Sequence, residues 1–189
     1  MGLALKERDA APHPEELRDF IAQEHPADLA YFIGDYPPQD AWRVMEGLYK
    51  QSQDFSISRI YPGIPEYFDP RGRGLYPYLT GSAAWYIFTL LTESFGIKGR
   101  MGDLVLQPKL VSAQFSESDQ VKVSARIASK RIEVTYHNPR DLSYGEYHLK
   151  RLTVNGKNVF LKPGLVEICF PRQEILTWQE PAKIFIELG

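Results

Sequence analysis

Residues 61–102 read YPGIPEYFDPRGRGLYPYLTGSAAWYIFTLLTESFGIKGRMG and set a loop dense in glycine, arginine and aromatic residues directly against the start of an apolar helix. The helix is expected from about Ser82 to Phe95, because Ala84, Trp85, Ile87, Phe88, Leu91 and Phe95 recur at spacings of three and four. Gly96 supplies its C-terminal stop. At its other end Thr80, Gly81 and Ser82 place a hydroxyl, a residue without a side chain and a second hydroxyl on the first turn, where N–H groups lack partners and the dipole is positive. Two readings follow. Either the terminus holds an anion, or Thr80 or Ser82 simply caps its own helix.

Towards the N-terminus, Pro14 to Gln23 and Ala27 to Ile33 read as short helices, and Gln39 to Gln51 as a firmer one with Ala41, Trp42, Met45, Leu48 and Tyr49 on one apolar stripe. Pro37-Pro38 starts that helix, since a first-turn proline needs no N–H. Trp42 is expected as a core anchor. From Ser56 to Leu79 the density of proline, glycine and tyrosine forbids long regular elements and leaves a structured loop. Within it Glu66 and Asp69 read as solvated loop and turn residues, with Asp69-Pro70 opening the turn. The glycines of Arg71-Gly72-Arg73-Gly74 permit positive φ and close packing.

Towards the C-terminus the pattern changes to β-branched and aromatic alternation between turn signals. Strands are expected at Leu104 to Gln107, Leu110 to Phe115, Lys122 to Ile127, Lys130 to Tyr136, Tyr147 to Val154, Val159 to Phe160, Leu165 to Pro171 and Ile184 to Leu188. Asn155-Gly156 is the clearest hairpin turn. The expected organisation is α+β, with a helical domain over 1–100 and an antiparallel β-sandwich or jelly roll over 101–189. His137 and His148 have no Cys or carboxylate arrangement of metal-ligand character around them, so no metal is expected. The single cysteine, Cys169, lies in an apolar run and reads as a buried thiol.

Composition narrows the function classes. A formal charge of −2 and a pI near 6.1 give no global basic field for a polyanion, so nucleic acid is not an expected partner. With 13% aromatic residues the chain has rings to spare for stacking on pyranose faces, although most should be core. No apolar run reaches the length of a membrane span, and residues 1–17 do not read as a secretory signal; a cytoplasmic protein without membrane contact is the expectation.

The block PYLTGSAAWYIFTLLTESFGIKG, followed by GDLVLQPKL, YHNP, VNGK and a final ELG, resembles the C-terminal end of the cellobiose phosphorylase family, glycoside hydrolase family 94, and within it the 1,2-beta-oligoglucan phosphorylases. The likeness covers roughly Asp40 to Gly189. It implies the last helices of an (alpha/alpha)6 barrel followed by the family's C-terminal sandwich. It also implies an inverting phosphorolysis of a β-glucan or oligosaccharide, in which inorganic phosphate is co-substrate, no cofactor is needed and no general base is required. The family's phosphate-contacting Thr-Gly pair falls on Thr80 and Gly81. Arg71, Arg73 and Tyr78 become candidates for the substrate loop, the arginines either reaching a sugar or phosphate or bracing the loop. The family's general acid belongs to a segment far upstream of this motif, and 189 residues leave no room for it. The resemblance therefore implies no phosphorolysis by this chain alone, and either a partner chain that completes the barrel or self-association through a wide apolar face bearing Trp42, Trp85 and Phe88. The alternative is a stand-alone sandwich that binds carbohydrate or packs on another subunit.

Overall fold

The computed structural model describes residues 33–60, 63–76, 81–115 and 117–189. The chain divides into two compact units, Met1–Leu90 and Leu91–Gly189. The two short helices expected before residue 33 and the histidine at position 25 lie outside the described residues.

In the first unit a 3-10 turn at Ile33–Asp35 leads into helix α1 (Pro38–Gln53) and the single turn α2 (Phe55–Ser58). Pro38 lies in the first turn of α1, as the Pro37-Pro38 pair predicts. The buried stripe of α1 is Ala41, Val44, Met45, Leu48 and Ser52, rotated from the expected one: Tyr49 is exposed and Trp42 only half-buried. Ile33, Tyr36 and Phe68 close this small core, with Ile64, Tyr86 and Leu90 packed against it. Two-residue strands β1 (Tyr67–Phe68) and β2 (Gly74–Leu75) pair antiparallel inside the expected loop.

Helix α3 (Gly81–Thr89) continues into a π-helical turn, Leu90–Ser94. The periodicity is as read, and Ala84, Trp85, Ile87 and Phe88 are exposed, Trp85 and Phe88 as the resemblance implies, while Ser82 and Thr89 are buried. Tyr86 explains which face is buried. Its ring packs against the α1 core and stacks on Tyr49 at 6.3 Å, and its hydroxyl donates to the Met45 carbonyl at 3.1 Å, so the buried face carries the hydrogen-bonding residues. Thr89 satisfies its hydroxyl within the helix, donating to the Trp85 carbonyl at 2.8 Å.

Gly96 stops the helical segment with φ +67°, and a Cβ there would lie 1.8 Å from the Gln107 carbonyl oxygen. This close approach opens the second unit, whose three-stranded sheet runs β3 (Ile97–Arg100), β4 (Asp103–Leu106), β9 (Ile168–Phe170) in the order β3-β4-β9. The five-stranded sheet contains β5 (Gln120–Ile127), β6 (Lys130–His137), β7 (Leu149–Val154), β8 (Lys157–Val159) and β10 (Ala182–Leu188), ordered β5-β6-β10-β7-β8. The pairings are antiparallel except one: β10 lies between β6 and β7, parallel to the first and antiparallel to the second. Asn155 and Gly156 both take positive φ, 50° and 79°, as a two-residue hairpin requires.

Ile97, Leu104 and Leu106 from the smaller sheet and Ile132, Val134, Leu152, Ile184 and Ile186 from the larger share one buried cluster. Two packed sheets around a common core, with few helices, make this an α+β chain with a sandwich-like second unit. Helix α4 (Arg172–Thr177), which periodicity does not announce, buries Ile175, and the adjoining Trp178 meets Phe170 edge-on at 5.1 Å.

Two further expectations are corrected. Leu110 to Phe115 is not a strand: Leu110 N–H donates to the Tyr147 hydroxyl, Val111 N–H to Gln114 and Ser112 N–H to Ser143, and Ser112–Phe115 is a 3-10 turn. Side chains there take the donors that a ladder would have used. Cys169 is exposed rather than buried, because β9 is an edge strand whose alternation turns Phe170 inward and Cys169 outward.

Candidate functional site

The YLTGSA segment was read as the start of a helix, and Gly81 is the first residue of α3. Thr80 and Tyr78 lie outside the described residues. What faces the terminus is a carboxylate. Glu66, only 6% exposed, accepts the Ser82 N–H through Oε1 at 3.1 Å, and a Cβ built on Gly81 would meet the same oxygen at 3.3 Å. Ionised, it complements the positive end of the helix. Ser82 does not use its own hydroxyl in this way: its Oγ is buried and has no hydrogen-bond partner among the described residues.

Glu66 is held in place by the β1–β2 hairpin, its own N–H donating to the Leu75 carbonyl at 3.2 Å. The expectation that Glu66 is a solvated loop residue is therefore overturned; the hairpin turns its side chain inward. Nothing local in the sequence marks the role, because sixteen residues separate Glu66 from Ser82, far beyond the spacing of a capping box. Asp69 behaves as read. Its Oδ1 accepts the N–H groups of Arg71 and Arg73, both at 2.9 Å, and fixes the turn between β1 and β2. Both arginine side chains are exposed around Gly72, which takes φ +83°.

Beyond the terminus, Gly81, Ala84, Trp85 and Phe88 line an open apolar groove of about 360 Å³, and Trp85 and Phe88 meet edge-on at 5.8 Å. Trp85, Ile87 and Phe88 are 49%, 58% and 55% exposed, a contiguous apolar strip that a water-facing helix does not normally carry. Within the second unit Glu93 forms a charged cluster with Lys98 and Lys109. Burial alone pushes the Glu93 carboxyl up, but hydrogen bonds from Lys109 at 2.9 Å and Lys98 at 3.1 Å outweigh it and hold the group below the usual carboxylate range.

Among the described residues no group of three His, Cys, Asp or Glu is placed to hold a metal ion. His137 instead pairs with Asp119 at 3.1 Å, and His148 is exposed. No helix among them is long and apolar enough to cross a membrane. No protein-family model matches the chain, and no curated protein matches it.

Proposed function

We propose that these 189 residues are the C-terminal part of an inverting glycoside phosphorylase of the cellobiose phosphorylase family, and that they do not release a sugar 1-phosphate on their own. The observation that carries the reading is Gly81, the glycine of the resembling YLTGSA run, at the first position of α3. A residue with no side chain at a helix N-terminus leaves backbone N–H groups open to close approach by phosphate. In this reading the Gly81 N–H and the Thr80 hydroxyl hold the phosphate while one of its oxygens attacks the anomeric carbon. The departing glycosidic oxygen takes its proton from an acid outside these residues. Glu66 retains the Ser82 N–H. It thereby takes one N–H of the terminus and sets a like charge beside a phosphate at Gly81.

The exposed strip of Trp85, Ile87 and Phe88 supports the barrel part of the proposal, since a helix of an (alpha/alpha)6 barrel buries such a face against neighbouring helices. Arg71, Arg73 and Tyr78 would shape the sugar side of the site. A β-glucan or related oligosaccharide is the substrate class, inorganic phosphate the co-substrate and the cytoplasm the setting.

The second reading, a self-sufficient sandwich that binds carbohydrate or packs on another subunit, is favoured by the closed core of the unit Leu91–Gly189. One assay separates the two. The purified chain is incubated with phosphate and β-glucan oligosaccharides, alone and mixed with a family barrel segment that carries the acid, with Thr80→Ala as control. Sugar 1-phosphate formed only in the mixture and lost in the variant is expected. Release by the chain alone, or none in the mixture, overturns the proposal.

A further inference from the structure

We propose that the outer face of the five-stranded sheet binds an acidic oligosaccharide. Such binding is independent of phosphorolysis. One row of register partners crosses all five strands: Lys122 on β5, Thr135 on β6, Phe185 on β10, Thr153 on β7 and Asn158 on β8. Their neighbours Val134, Ile184, Leu152 and Val154 point into the core, so the alternation turns this row outward. At the usual separation of adjacent strands the row spans about 19 Å. Its centre is a concavity of about 400 Å³ in which Lys183 and Ser124 join Lys122, Thr135, Phe185 and Thr153.

What distinguishes this face from an ordinary solvated one is the contrast between its carboxylates, which have partners, and its lysines at the centre, which do not. Glu133, in the concavity, pairs with Arg131 at 3.1 Å; at the rim Glu187 pairs with Lys150 at 2.8 Å and the Asp119 carboxylate lies 3.1 Å from His137 Nε2. In the row and the concavity the ammonium groups of Lys122 and Lys183, the hydroxyls of Thr135 and Thr153 and the amide of Asn158 form no hydrogen bond or ion pair among the described residues. Phe185 is a half-exposed ring at the middle of the central strand, with His137 tilted against it at 5.8 Å.

An apolar ring flanked by the exposed Ser124 hydroxyl, the half-buried Thr135 hydroxyl and the Asn158 amide is the chemistry of a pyranose site. The charge selects among sugars. The carboxylate in the concavity, Glu133, is already paired with Arg131, whereas the two lysine ammonium groups there are donors only and carry full positive charge. The surplus is of donors and positive charge, which complements the carboxylates of an acidic chain. The same sign holds more widely. Residues 91–189 contain 14 Lys and Arg against 11 Asp and Glu, whereas the whole chain is net negative at −2.

Titration calorimetry of the full chain with hexagalacturonate tests this, with cellohexaose as the neutral chain of equal length and a single-stranded oligodeoxythymidylate as the non-sugar polyanion. Hexagalacturonate is expected to bind, more weakly as salt is raised. Lys122→Gln and Lys183→Gln, both at exposed positions, should each lower affinity roughly fivefold. Phe185→Leu, which keeps apolar volume but removes the ring, should weaken binding as well while leaving the melting temperature of the chain nearly unchanged. Equal binding of cellohexaose, tighter binding of the oligonucleotide, indifference to the lysine substitutions, or no binding of hexagalacturonate would each overturn the assignment.

Discussion

The carboxylate of Glu66 meets the backbone N–H of Ser82 at 3.1 Å, so the first turn of α3 is capped by a side chain from the hairpin that precedes it. Capping a helix from a distant strand ties two elements that local propensity would leave independent. It also makes the terminus an occupied electrostatic site.

Glu66→Ala removes that acceptor and leaves the buried Ser82 N–H beside a hydroxyl that has no partner among the described residues. The expected loss is about 1–3 kcal/mol in urea unfolding. Glu66→Gln keeps an acceptor oxygen and gives up only charge against dipole, about 0.5–1 kcal/mol. If phosphate visits Gly81, the glutamine variant should bind it roughly tenfold more tightly than wild type, because a like charge has gone. Phosphate titration followed by NMR reads this directly.

Gly96→Ala should be the most damaging small substitution in the chain. The new Cβ would have to displace Gln107 backbone from a contact of 1.8 Å while alanine adopts φ +67°. A loss of about 3 kcal/mol or more is expected, measured by thermal or urea unfolding, with Gly99→Ala, which meets no atom within 4 Å, as the benign control.

Tyr147 receives the Leu110 N–H at 2.8 Å and donates to the carbonyls of Pro108 or Leu110 at 3.1 and 3.2 Å. Tyr147→Phe strands that buried N–H and should cost about 1–3 kcal/mol. Burial pushes this phenol above its ordinary range despite the Leu110 hydrogen bond, with Tyr144 adding to the rise, and burial does the same to Tyr136. The folded second unit therefore keeps protons that the unfolded chain releases near pH 10. Its stability should be fully present below about pH 10 and decline as pH rises beyond it, and Tyr147→Phe should flatten that decline. Tyrosine ultraviolet absorbance and circular dichroism, followed together through an alkaline titration, give the check.

Glu93 works in the opposite direction. Its carboxyl is held below the usual range against the cost of burial, by Lys109 and Lys98, so the ionised form stabilises the fold above a pH of about 4.3 and that contribution disappears as pH falls through the folded-state value. Glu93→Gln should cost about 1 kcal/mol at neutral pH and less in high salt, and should be nearly neutral in acid. Melting temperatures across pH and salt measure both dependences.

Much of the second unit could be read from residues alone. Alternation in 122–127 and 130–136 fixes two strands because the side-chain period is two, and Asn155-Gly156 fixes a hairpin because both positions need positive φ. The segment after Pro108 misleads because its apolar residues look like a strand while side chains of Tyr147, Gln114 and Ser143, remote or local, satisfy its backbone. In α1 and α3 the helical period was legible and the buried face was not. Which side of Trp85 turns inward depends on what lies against it, and a hydrogen bond from Tyr86 to Met45, forty-one residues away, outweighs the local apolar stripe. Gly81 was legible as a candidate from its place beside hydroxyl residues; Glu66 was not, since its partner is brought to it by a hairpin.

The strand that fills the middle of the larger sheet, Ala182–Leu188, comes after the other four strands of that sheet in chain order. Until it emerges from the ribosome, β6 and β7 have no neighbour between them, and the sheet exists only as two separate hairpins with open edges. Folding of this unit therefore waits until residues 182–188 have been made. A nascent chain arrested before residue 182 should remain protease-sensitive throughout residues 120–159, and a stop at Pro181 should yield an aggregating product rather than a smaller stable domain.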